Sequence, residues 1–170
     1  MSETGTKKKK PAGPMQLTPF RKWSLWTVGT AVWATGVLWV IFHYFMKTEG
    51  EFGFQNHPLE SVWLMLHGLT AAASLWLFGL LWGVHVETGW AVRWRRRSGG
   101  TLTGTLIFLA VSGYALYYIG NEEILDWTQI AHWGVGIAAL AIFFIHYLSK
   151  TLPRRAGGAG RRAGITDLTG

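Results

Sequence analysis

Four stretches of the chain contain no Asp, Glu, Lys or Arg: residues 23–46, 61–86, 101–121 and 127–149. At 1.5 Å of rise per residue, about 20 residues cross a hydrocarbon core of roughly 30 Å. Each window is long enough, and each reads as apolar on all sides rather than along one stripe. The pattern predicts an all-α integral membrane protein, a bundle of four transmembrane helices running up-down-up-down in the lipid bilayer. It divides the chain into a basic tail (1–22), a membrane domain (23–149) and a second basic tail (150–170). Both tails read as disordered.

The charges left outside the windows set an orientation. Six Lys or Arg precede the first window, four (Arg93, Arg95, Arg96, Arg97) lie between the second and third, and five follow the fourth. These segments share one side, which therefore carries fifteen cationic residues against Lys47 alone on the other. Positive charge stays on the cytoplasmic side, so both termini are predicted to be cytoplasmic. Glu49, Glu51, Glu60, Glu122, Glu123 and Asp126 fall on the opposite side. Trp23, Trp26, Trp90, Trp94 and Tyr147 mark the inner interface, and Tyr44, Trp63, Tyr117, Tyr118 and Trp127 the outer one. The first window has no small-residue cleavage site after it and reads as a retained signal anchor.

Composition narrows the chemistry. A net charge of +7 on a soluble chain would suggest nucleic acid, but here topology accounts for the charge and no nucleic-acid partner is expected. Cysteine is absent, which excludes disulfides, Cys-ligated zinc, iron–sulfur clusters, thiol nucleophiles and covalently attached haem.

Histidine remains. Ionisable groups inside a membrane are costly and mark function by default. The second window carries His67 and His85, the fourth His132 and His146. Eighteen residues at 100° each close five whole turns, and fourteen fall 40° short of four, so each pair shares a helix face. The two helices run in the same direction. His67 lies about 10 Å past Glu60 and His132 about 9 Å past Asp126, so these two imidazoles are level in the outer leaflet. His85 and His146 both lie near the cytoplasmic end, at about 37 and 30 Å, and match less well.

Two level imidazoles on facing helices can hold a flat ring between them as axial ligands to haem iron. Without cysteine the haem must be b-type, and two such pairs predict two haems. Bis-His ligation leaves no open coordination position, which implies one-electron transfer. Zinc suits the pattern less well, because it takes three or four close ligands. Gly29, Gly36, Gly100, Gly104 and Gly113, with Gly68 and Gly134 beside the outer histidines, would let a porphyrin edge approach the backbone. A weak internal repeat supports this. Thr35-Gly36 precedes the His67 helix and Ser112-Gly113 precedes the His132 helix, as in a duplicated helical hairpin. Of the remaining histidines, His43 reads as interfacial or as a substitute for His67. His57 reads as solvated, or as a contact for haem propionates or a partner. Trp90 and the Arg93 to Arg97 rim set topology, and such a rim could also bind quinone head groups or inner propionates.

With these residues the chain resembles the four-helix bacterial membrane cytochromes b. These include the cytochrome b subunits of hydrogenases and formate dehydrogenases, and the haem-binding core of the larger respiratory cytochrome b. The segment from His132 to His146 has the fourteen-residue spacing those proteins use for two stacked haems, and the likeness covers about 23–150. It implies a subunit of an oxidoreductase complex in the bacterial inner membrane, relaying electrons between the quinone pool and a periplasmic or membrane redox subunit. His67, His132, His146 and His85 would be the axial ligands. The eighteen-residue interval between His67 and His85 departs from that family's spacing. A haem-free membrane anchor, assembly factor or small transporter is the alternative from another class.

Overall fold

A computed structural model of the chain describes residues 17–51, 53–91 and 96–149. Both predicted tails, apart from residues 17–22, and Arg93, Trp94 and Arg95 of the basic rim lie outside the described residues.

The chain is mostly helical, in the order α1 (Pro19–Tyr44), β1 (Lys47–Gly50), β2 (Gly53–Asn56), α2 (Leu59–Leu81), a π-helical turn (Trp82–Val86), α3 (Glu87–Ala91), α4 (Arg96–Ala115) and α5 (Glu122–Leu148). The helices begin before the uncharged windows do, because helix starts tolerate or prefer polar residues. Thr18 caps α1, its side chain accepting from the Arg21 amide, with Pro19 at the first turn. Asn121 caps α5 in the same way from Ile124 N–H at 3.0 Å, and Glu122 and Glu123 follow in the first turn, where the helix dipole favours negative charge. Residues 19–22, read from sequence as tail, are thus helical.

Among the described residues three helices are long and apolar enough to cross a membrane: Pro19–Tyr44, Leu59–Ala91 and Glu122–Leu148. Here the structure departs from the four equal spans predicted. The third window lacks charge without being strongly apolar, because Gly, Ser and Thr dilute α4, and the helix ends at Ala115, before the window does. The outer loop also differs. There β1 and β2 pair antiparallel, Lys47 with Asn56 and Gly50 with Gly53, with Gly53 at a φ of +109° that favours glycine. Four-residue, mostly polar strands are too short to leave an alternation signal.

Packing follows the chain. α1 lies on α2, α4 on α5, and α1 also meets α5, whereas the backbones of α2 and α5 hardly approach. Only Leu77, Leu81 and Ser112 are buried among the described residues. On α2, Leu77 and Leu81 face inward between His67 and His85, while Met65, Leu69 and Trp76 are exposed on another face. An apolar exterior around a thin core suits lipid contact.

Aromatic rings fasten α1 to α5 at both ends. Trp26 meets Phe143 edge-on at 5.2 Å and Tyr147 at 5.6 Å, and Tyr44 meets Trp133 at 6.2 Å. Trp26→Ala should cost about 1–3 kcal/mol through the lost aromatic pairs and lower the thermal midpoint in detergent by several degrees. Trp23→Ala, at a ring that is 74% exposed, should leave that midpoint unchanged.

Candidate functional site

The four membrane histidines meet in two pairs across the α2–α5 gap. The rings of His67 and His132 stand 6.3 Å apart between centroids, at 83°. Those of His85 and His146 also stand 6.3 Å apart, at 90°. In each pair one ring comes from α2 or its π turn and the other from α5.

The predicted mismatch of the inner pair has a local remedy. His85 sits in the π turn Trp82–Val86, whose hydrogen bonds span five residues instead of four. Such a turn takes up an extra residue per turn, so His85 lies less far along the axis than a straight α-helix would place it.

The imidazoles are oriented from behind. His67 Nδ1 lies 3.0 Å from the Val32 carbonyl of α1, and a carbonyl only accepts, so Nδ1–H is the donor. Thr35 Oγ1 stands 3.4 Å from the same nitrogen while donating to Ala31 O at 2.8 Å. His132 Nδ1 lies 2.8 Å from Ser112 Oγ of α4, whose own proton goes to Phe108 O at 2.7 Å, so this Nδ1–H donates too. Both outer rings therefore keep the Nε2 lone pair for a ligand, the pattern by which a second hydrogen bond fixes a metal-binding tautomer.

Glycine stands beside each of these hydroxyls. A Cβ at Gly36 would come within 2.9 Å of His67 Cε1, and one at Gly113 within 3.1 Å of His132 Cε1. The two glycines that sequence offered to a porphyrin edge instead receive the imidazoles. The same device recurs at the inner pair. Ser98 Oγ lies 3.3 Å from His146 Nδ1, and a Cβ at Gly99 would sit 3.7 Å from His146 Cε1. Sequence reasoning missed Ser98-Gly99, although it precedes Ser112-Gly113 by the fourteen residues that separate His132 from His146. The α1–α2 register would put the counterpart for His85 at residues 17 and 18, before α1 begins.

The other candidates have separate tasks. His43 Nδ1 donates to Glu60 Oε1 at 2.7 Å and the ring stacks on Trp39, so His43 does not stand in for His67. His57 Nδ1 accepts from the Leu59 amide and helps start α2. Arg96 donates twice to the Trp90 carbonyl, at 2.8 and 3.1 Å, and lies over the Trp90 ring. Gly100 abuts that ring, whereas Gly29, Gly68, Gly104 and Gly134 have no heavy atom within 4 Å of a Cβ. No group of three or more His, Cys, Asp or Glu able to hold a metal occurs among the described residues.

The glycine contacts are testable without any ligand. Gly36→Ala and Gly113→Ala should push the histidines off their anchors and lower thermal stability in detergent, by about 1–3 kcal/mol as overpacking does. Gly29→Ala, in open space, should leave it unchanged or raise it.

No known protein family matches the chain, nor does any curated protein or solved structure.

Proposed function

We propose that the chain is a di-haem b-type membrane cytochrome, an electron-relay subunit working between the quinone pool and a periplasmic redox partner. The observation that carries this reading is the spacing of both histidine pairs. Metal–imidazole bonds of about 2.0 Å, with ring centres about 1.1 Å behind the nitrogens, put two in-line rings about 6.2 Å apart. Both pairs stand at 6.3 Å. The donor set fits: imidazoles on helices whose backbones leave space between them, with Nδ1 of His67, His132 and His146 already engaged. Two ligands per site suit a ring that supplies the other four, and not zinc.

His67 and His132 would hold the outer haem, and His85 and His146 the inner one. When bound, a bis-imidazole haem exchanges single electrons and offers no position for substrate. The chain's own residues do the rest. Val32, Thr35, Ser112 and Ser98 hold the imidazoles in place, and the apolar residues between the pairs, Leu77 and Leu81 among them, exclude water. His132 and His146 are about 21 Å apart along α5, room for two ring planes stacked through the bundle.

The same contacts favour α4 as a fourth span. It runs antiparallel beside α5 from Ser98 opposite His146 to Ser112 opposite His132, so it accompanies α5 through the depth between the pairs. With four spans, the fifteen-to-one charge split puts both termini in the cytoplasm. A reporter fused after Ser98 should read as cytoplasmic and one after Asn121 as periplasmic. Equal sidedness of the two reporters would rule out the fourth span.

Purified protein, expressed with ample haem, should show a b-type reduced-minus-oxidised spectrum with two haems per chain. His132→Ala should lose the outer haem and keep about half the total. Wild-type protein without a b-type spectrum would leave the haem-free anchor reading in its place.

A further inference from the structure

The indole N–H groups of Trp33, Trp39, Trp63 and Trp133 are buried without an acceptor, and one oxygen of Glu60 is buried without a donor. A buried polar group without a partner costs free energy, and native chains carry few of them. Three of these indoles gather near the outer histidine pair, each from a different helix. Trp63 precedes His67 by one turn of α2, about 6 Å toward the outer end. Trp39 follows Gly36, which touches His67, by about 4.5 Å in the same direction along α1. Trp133 is next to His132 on α5. Ring contacts bind them into one layer: Trp39 on His43 at 4.7 Å, His43 against Tyr44 at 4.6 Å, and Tyr44 against Trp133 at 6.2 Å. Trp63 meets Phe42, the chain neighbour of His43, at 6.2 Å.

An indole N–H donates and never accepts, so the missing partner is an acceptor. The one Lys or Arg described between the end of α1 and the start of α2, Lys47, is engaged with Asn56 across the hairpin. Neutral donors are therefore what this layer has to offer an anion. We infer that Trp39, Trp63 and Trp133 form a carboxylate-binding layer that receives the propionates of the outer haem. This rests on the cytochrome reading above. Glu60 keeps Oε1 on His43.

The test uses the full-length protein in detergent, stripped of haem and titrated with haem b or with its dimethyl ester, which has no free carboxylate. The Trp63→Phe/Trp133→Phe double variant keeps both rings and removes two donors. It should bind the outer haem roughly tenfold more weakly, the worth of two modest hydrogen bonds. The ester should bind wild type more weakly by a similar factor, and the gap between wild type and double variant should close with the ester. Trp33→Phe, on the inward side of Gly36, should change nothing. The indole N–H vibrational band of wild type should shift on loading with haem b. Equal affinity of the double variant and wild type for haem b overturns the inference and leaves the cytochrome reading intact. So does equal affinity of wild type for haem b and the ester, a comparison that needs no variant. Wild-type protein that takes up no haem overturns both.

Discussion

An imidazole set in hydrocarbon must find a partner for its N–H, and much of this structure follows from how that demand is met. Each outer histidine donates its Nδ1–H to the helix that precedes it in sequence, His67 to α1 and His132 to α4. The hydrogen bond decides the tautomer. The glycine beside it decides how closely the ring can lie against that helix. Together they fix each ring's orientation and leave its second nitrogen without a proton, so a ligand arriving there would meet two side chains already ordered.

The arrangement also explains why the helices associate as they do. Within a bilayer the hydrophobic effect does not drive helices together, so packing and interhelical hydrogen bonds must. α1 with α2, and α4 with α5, form hairpins locked by Ser or Thr, Gly and His. α1 joins the hairpins through Trp26 and Tyr44. Across the α2–α5 face, where the histidines look at one another, the two backbones hardly approach and the contact is made by side chains.

Much of this was legible in the residues. The level depth of His67 and His132 followed from their distances to Glu60 and Asp126, and both pairs predicted from helical arithmetic face each other in the structure. Three things were not legible. A charge count could not show that α4, lightened by Gly, Ser and Thr, is less apolar than its neighbours. A straight-helix projection could not foresee the π turn in which His85 sits. The indoles left without acceptors become visible only when their surroundings are known. Ser98-Gly99, by contrast, is readable in the sequence, because it repeats the Ser112-Gly113 pair at the histidine spacing.

The antiparallel register of α4 on α5 has an evolutionary corollary. Ser98 answers His146 and Ser112 answers His132, so the fourteen-residue interval is written twice, in opposite directions, on two helices. A residue gained or lost inside either interval rotates one anchor away from its ring, and only a matching change in the other helix restores it. Sequence drift should therefore change the length of the hairpin loop and the tails freely while leaving these two intervals intact. In α2 the case differs. Its eighteen-residue interval contains the π turn Trp82–Val86, a looser winding that can take up a change of length locally instead of passing it on to a facing helix.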